Sequence, residues 1–370
     1  MSQALDLAST GIALCSPNPC VGAVLVDSSG NIVGRGSYRY DDLTHAEVLA
    51  IREAGNRARG ATLYINLEPC SHHGRTPPCA DAVIQAGIAR VVASMTDPNP
   101  LVGGKGFEKL RAAGITVEVG LMETEARKLN EAFAKYIRHR TPLVTLKSAM
   151  SLDGKIAPAQ TKTIAARTPS DWITSETARR HAQQLRHASD AILVGIGTVL
   201  ADDPSLTDRT GLPRRRPLLR VILDSHLRLP LDSQIVNSAA DDVLVFYVSG
   251  DEKKRQELQA RGVRLEALSA DRRPELSAVL RRLGELEITS VLIEGGSAIN
   301  SAALTAGVVD KLFLFYAPKF LGSDGIPFVG NPSSSETVVS STSFDLRYPT
   351  LHRFGDDFAI EAYLRGPYSD

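Results

Sequence analysis

The chain carries no net charge, because 42 Lys and Arg balance 42 Asp and Glu over 370 residues. A nucleic-acid partner ordinarily demands a basic excess, so none is expected. Long apolar runs are missing too. The longest, around Ala191 to Leu200, is interrupted by glycines and falls short of the roughly 18 residues of a membrane span, so no membrane partner is expected. The opening stretch, Met1 to Ala8, has no basic segment ahead of an apolar one and does not read as a secretory signal. Four cysteines are too few for a disulfide framework in a chain of this length. These absences point to a protein of the reducing cytoplasm. No Gly-x-Gly-x-x-Gly follows a strand, so a Rossmann fingerprint is absent, and no internal repeat is visible.

Such a length exceeds one ordinary core and implies two domains, with a homo-oligomer interface expected. Chemistry is concentrated in Thr44-His45-Ala46-Glu47 and Pro69-Cys70-Ser71-His72-His73-Gly74-Arg75-Thr76-Pro77-Pro78-Cys79. One imidazole and two thiols, His45, Cys70 and Cys79, are a soft donor set suited to Zn²⁺. Three protein ligands leave a fourth position for water, which structural zinc sites do not do. Glu47, two residues beyond the His, is then the proton carrier, as in the zinc nucleobase deaminases. A capping box, Thr44-x-x-Glu47, accounts for two of these residues but requires neither His45 nor the cysteines. Cys15 and Cys20 flank Pro17-Asn18-Pro19 and read as buried or loop thiols rather than a second metal pair.

Apolar spacing predicts a short helix through Leu5, Ala8 and Ile12, then a strand over Val21 to Asp27 turning at Ser28-Ser29-Gly30-Asn31 into Ile32 and Val33. A helix over His45 to Ala54, a strand over Ala61 to Leu67, a helix from Cys79 to Gly87 and a strand over Val91 to Met95 follow. This alternation predicts an α/β layer sandwich, with zinc where two helix N-termini meet at the sheet edge. Gly103-Gly104-Lys105-Gly106 matches no P-loop and is first of all a turn, with a phosphate contact left open. A single charged helix spans Met122 to Arg138, and Pro142 marks the domain boundary. In the second half, the strand Val291-Leu292-Ile293 breaks at Gly295-Gly296 into a helix at Ser297, where backbone N–H groups can meet a phosphate. Arg214-Arg215-Arg216 reads first as a solvated loop, with a phosphate clamp as the alternative.

The eight residues between Cys70 and Cys79 depart from the usual Cys-x-x-Cys. Together with Ser16-Pro17-Asn18-Pro19-Cys20-Val21-Gly22 they closely resemble the deaminase half of the bifunctional deaminase/reductase of riboflavin biosynthesis. Several stretches resemble its reductase half: Leu143 to Lys147, Ala149 to Lys155, Trp172 to Ser175, Leu185-Arg186, Gly195 to Pro204, Val221 to Ser225 and Leu292 to Gly296. The resemblance implies a cytidine-deaminase-like α/β/α sandwich over 1–140 and a dihydrofolate-reductase-like α/β domain over 141–370. It implies Zn²⁺ and NADPH as cofactors and a small phosphorylated pyrimidine as substrate. By resemblance, Asn18 and Arg75 contact the pyrimidine. Ala149, Trp172, Thr198, Asp202, Ser225 and Gly296 hold the cofactor, and Lys147, Asp153, Ser170, Arg186, Leu206, Arg209 and Glu294 hold the ribosyl substrate. The connection Pro158 to Pro169 is a surface loop by default. A tRNA or nucleoside deaminase is the rival enzyme reading, opposed by the neutral charge and the second half. A regulator with structural zinc is opposed by Glu47 and the three-ligand count.

Overall fold

A computed structural model describes residues 1–74, 77–158, 172–269, 273–330 and 343–369. The chain divides into two units: Met1–Arg140 together with Pro213–Arg216, and Thr141–Leu212 together with Pro217–Ser369. Among the described residues no helix is long and apolar enough to cross a membrane.

The first unit opens with α1 (Ser2–Ser9), which stops short of the predicted Ile12. Next come β1 (Gly22–Val26), β2 (Ile32–Ser37), α2 (Ala46–Ala54), β3 (Thr62–Ile65), α3 (Cys79–Gln85), β4 (Arg90–Ala93), α4 (Lys105–Ala112), β5 (Thr116–Val119), α5 (Glu123–Leu129) and α6 (Glu131–His139). The sheet order is β2-β1-β3-β4-β5, with β1 antiparallel to both neighbours and β3, β4 and β5 parallel. Helices lie on both faces, and glycines set how closely. A Cβ on Gly22 would come 2.1 Å from the Ala4 carbonyl oxygen of α1, and one on Gly36 would come 2.0 Å from that of Ala46 in α2. Ala23 pairs with Gly36, so Gly22 and Gly36 point to opposite faces and the two helices sandwich the sheet.

Three sequence expectations need correction here. The charged helix expected over Met122 to Arg138 is two helices broken at Asn130. The Asn130 side chain accepts from the Cys20 N–H at 2.8 Å and donates to the Cys20 carbonyl, a buried pairing that sits at the junction of the two helices. Cys15 and Cys20, read as independent thiols, are both buried and lie against one another, their Cα atoms 5.7 Å apart. Nor is Arg214-Arg215-Arg216 a solvated loop: it lies in the first unit, where the Arg215 guanidinium sits 3.8 Å from the Tyr40 ring centroid and donates to the Ser16 carbonyl.

The second unit contains β6 (Leu143–Ser151), β7 (Lys155–Ala157), α7 (Glu176–His187), β8 (Ala191–Gly195), α8 (Ile196–Asp202), β9 (Leu219–Leu223), α9 (Gln234–Asn237) and β10 (Val243–Tyr247). It continues through α10 (Glu252–Ala260), β11 (Val263–Ala267), α11 (Leu276–Glu285), β12 (Ser290–Ile293), α12 (Ser297–Thr305), β13 (Lys311–Ala317), β14 (Ile326–Pro327), β15 (Arg347–Phe354) and β16 (Asp357–Tyr363). Its main sheet runs β11-β10-β9-β8-β12-β6-β13-β16-β15, parallel from β11 to β13 and antiparallel thereafter. The parallel strands are apolar on both faces, as a sheet covered on both sides must be. In β8, Ala191 and Leu193 enter one core while Ile192 and Val194 enter the other. Arg220 is fully buried in β9, neutralised by a bidentate pair with Asp242 and by Ser205 and Ser238.

Candidate active site

His45 is the N-cap of α2, in extended conformation, with its imidazole directed at Cys70 and Cys79. Thr44 bonds the Asp42 carbonyl and no side chain caps α2, so the capping-box alternative does not form. Cys79 opens α3, and Cys70 follows the segment leaving β3. His45 Nδ1 lies 3.0 Å from Cys79 Sγ and 3.6 Å from Cys70 Sγ, and the Cys79 N–H donates to Cys70 Sγ at 3.3 Å. All three ligand atoms fall within 4.8 Å of one another. Donors sharing one tetrahedral ion, with Zn–S about 2.3 Å and Zn–N about 2.0 Å, must cluster on this scale.

The electrostatics suit a cation. The Cys70 thiol is drawn down by the hydrogen bond from Cys79 and by His45, which favours the thiolate a metal needs. Cys79 is pushed up, first by sharing its proton with Cys70 and then by burial; a divalent ion would displace that proton. Glu47 is 3% exposed, and burial raises its carboxyl to about 7, with the Cys70 thiolate adding to the effect. Such a group can hold or release a proton at neutral pH. Tyr38 stands edge-on to the His45 ring, centroids 5.3 Å apart, and its hydroxyl accepts from Asn18 Nδ2 at 2.7 Å. Asn18 is thereby one side chain removed from the metal ligands.

The glycine-rich stretch proves not to be a phosphate cradle. Its N–H groups at Gly104 and Gly106 are taken by the Glu68 carboxylate, at 2.8 and 2.7 Å. Neither Glu68 nor Tyr38 was expected as a site residue. The only signal was a charged residue ending an apolar strand. Asp97, also unforeseen, is half-buried, and desolvation raises its carboxyl to about 6.

In the second unit Ile293 pairs with Leu146, which sets Glu294, at the carboxyl end of β12, beside Lys147 in the middle of β6. Glu294 takes Arg186 Nε at 2.7 Å, a second Arg186 nitrogen at 3.1 Å and Lys147 Nζ at 3.3 Å. Burial alone would raise this carboxyl, but the two cations overcome it and hold it at about 2. Thr198 in α8 lies 3.6 Å from where a Cβ on Gly296 would stand, so these two expected cofactor residues are neighbours. Gly296 is the N-cap of α12, Ser225 follows β9, Asp202 ends α8 and Ala149 lies in β6. Among the described residues the Asn300 Oδ1 atom of α12 is buried without a hydrogen-bond partner. A dinucleotide's phosphates fit such a helix start at the carboxyl edge of a parallel sheet.

Asp153 turns its carboxylate to Ser151 Oγ and to the N–H groups of Leu321 and Gly322. Trp172 is exposed, with the Arg179 guanidinium over its ring. Leu206 is buried at positive φ, and Arg209 donates its N–H to Gln183. Arg75, Ser170 and most of the Pro158 to Pro169 connection lie outside the described residues.

A three-donor soft site with a buried carboxylate beside it defines the first unit as a metal-dependent deaminase, joined here to an open parallel α/β unit. Residues 1–95 match the family model for the cytidine and deoxycytidylate deaminase zinc-binding region, and 142–358 that for the RibD C-terminal domain. The riboflavin biosynthesis protein RibD of Aquifex aeolicus is 42% identical over 97% of this chain and 96% of its own length. The Escherichia coli protein of that name is 43% identical, covering 88% of each. Solved Acinetobacter baumannii RibD aligns with TM-score 0.81 at 36% identity, over 98% of this chain and 97% of that one. A Thermotoga maritima deaminase/reductase aligns with TM-score 0.80, also at 36% identity over 98% and 97%. The chain belongs to the RibD family of bifunctional riboflavin-biosynthesis enzymes, a zinc-dependent deaminase and an NADPH-dependent reductase in one polypeptide.

Proposed function

We propose that the first unit deaminates 2,5-diamino-6-ribosylamino-4(3H)-pyrimidinone 5′-phosphate and that the second reduces the ribosyl group of the product to ribityl. The convergence of His45, Cys70 and Cys79 beside a buried Glu47 poised near neutrality carries this reading. Zinc held by those three residues supplies a water acidic enough to act as nucleophile at neutral pH. Glu47, buried beside the three ligands with its carboxyl raised by burial, would carry a proton between the attacking water and the departing amine. Asn18, fixed by Tyr38, orients the pyrimidine, and Arg75 contacts it from the inter-cysteine segment.

In the second unit NADPH supplies hydride to C1′ of the ribosyl group. Ala149, Trp172, Thr198, Asp202, Ser225 and Gly296 hold the cofactor. Lys147, Arg186 and Glu294 form a fixed polar wall for the ribosyl phosphate, with Asp153, Ser170, Leu206 and Arg209 completing the substrate site. The enzyme works in the cytoplasm as a homo-oligomer. Supporting an oligomer, β15 is the outer strand of its sheet and leaves Tyr348 and Leu351 exposed, an edge that proteins usually cover.

Stripping zinc from the whole enzyme with a chelator tests the division of labour. Ammonia release should stop, while NADPH oxidation with already deaminated substrate persists. Loss of both activities, with the circular dichroism of the protein unchanged, would contradict two independent sites.

A further inference from the structure

We propose that Glu68 is a positioning residue for the deaminase, setting the zinc ligand Cys70 against helix α4 and thereby against Cys79. Glu68 ends the segment that leaves β3, pairs its N–H with the Met95 carbonyl, and is 4% exposed. Its Oε2 accepts from the N–H groups of Asp97 at 3.0 Å and Gly104 at 2.8 Å, and its Oε1 from those of Gly106 at 2.7 Å and Phe107 at 3.2 Å. A carboxylate has about four lone-pair sites, so this one is saturated.

Three of those donors belong to the start of α4, where N–H groups have no intrahelical partner and the helix dipole favours an anion. Glu68 therefore caps a helix more than thirty residues downstream, and the contact is too close for any side chain on the helix. A Cβ on Gly106 would come 2.0 Å from the carbonyl oxygen of Pro69, the residue joining Glu68 to Cys70. On its other side α4 shares a core with α3: Phe107 and Leu110 pack in one cluster with Ala80 and Val83, directly after Cys79. The Lys109 Nζ to Asp81 contact, at 2.6 Å, crosses the same two helices. The two thiolates thus reach one metal from separate segments, and α4, locked to the first by Glu68, keeps their spacing.

The inference rests on the zinc reading of the site. Glu68→Gln keeps the shape but offers one oxygen and an NH₂ group to donors that need two oxygens. In the full-length enzyme loaded with zinc, release of the metal to a chelator should quicken tenfold or more, the scale of about 10 to 100-fold seen when a group behind a metal ligand is lost. With Co²⁺ in place of zinc, the thiolate-to-metal charge-transfer bands should shift. Deamination should lose kcat more than KM changes, and NADPH oxidation with deaminated substrate should be untouched. A cap that is merely structural lowers the melting temperature but leaves the cobalt spectrum and the release rate as in the parent, and that outcome overturns the proposal.

Should Glu68→Gln fail to fold, hydrogen exchange of the parent protein decides. Coupling is reciprocal, so loading zinc must slow exchange at the Gly104, Gly106 and Phe107 amides, and equal rates with and without metal overturn the proposal. A protein that takes up neither zinc nor cobalt refutes the functional reading instead, which separates the two failures.

Discussion

Replacing Glu294 with Gln should destabilise the second unit by about 3 kcal/mol at pH 7. Two routes lead to that figure. Glu294 binds Arg186 through two nitrogens and Lys147 through one, and the three side chains are 11%, 12% and 15% exposed. Removing one member of such a buried set leaves its partners as uncompensated cations, at a cost of about 3 to 5 kcal/mol. Linkage gives a similar value, since a carboxyl held at about 2 in the fold and near 4.3 when unfolded contributes about 3 kcal/mol. A depressed folded pKa stabilises above the unfolded value and loses its effect as pH falls through the folded one. The parent should therefore lose this contribution between about pH 4.5 and 2, and the Gln variant should show no such dependence. Trp172 is the chain's only tryptophan and lies in the second unit, so urea titration followed by its fluorescence reads that unit alone. A loss below about 1 kcal/mol, the scale of an exposed pair, would refute the buried-triad argument.

Glu47→Gln should retain zinc, because no ligand changes, yet lose deamination by a factor of about 10² or more, the usual scale for a positioned acid–base group. Metal analysis and ammonia release decide it, and near-normal turnover would end the proton-carrier role. Cofactor choice should favour NADPH over NADH in kcat/KM. Asp224, a carboxylate just after β9 that would favour the free ribose hydroxyl of NADH, is fully buried, one oxygen accepting from the Leu229 N–H and the other 3.6 Å from the Arg228 guanidinium, so it presents no exposed acceptor to a ribose. Equal efficiencies with the two cofactors would contradict this.

The convergence of the candidate metal ligands was legible because metal chemistry restricts such residues to few types in short motifs. His45, Cys70 and Cys79 needed only the softness of their donors, and Glu47 its distance from the imidazole. What stayed hidden depends on partners far along the chain. Glu68 looked like the polar end of a strand, since its four donors lie some thirty to forty residues on. Helix α4 was masked by Gly103, Gly104 and Gly106, which read as a turn, although Gly106 is there to let the helix touch Pro69. The break at Asn130 arises from a side chain bonded to Cys20, 110 residues away, which no local periodicity records. In the second unit the strand–helix alternation was readable. That Lys147, Arg186 and Glu294 form one charged group was not, because sheet register joins the first and the last while α7 carries Arg186 to them.

The central claim is that one chain runs two consecutive reactions at two sites. Zinc-loaded enzyme given the diamino ribosylamino pyrimidinone phosphate without NADPH should release one ammonia per substrate and stop at the deaminated ribosyl compound. Adding NADPH should then consume one equivalent and yield the ribityl product, each species followed by chromatography and mass. NADPH oxidation on the undeaminated substrate, or ribityl product formed with no ammonia released, would contradict the account.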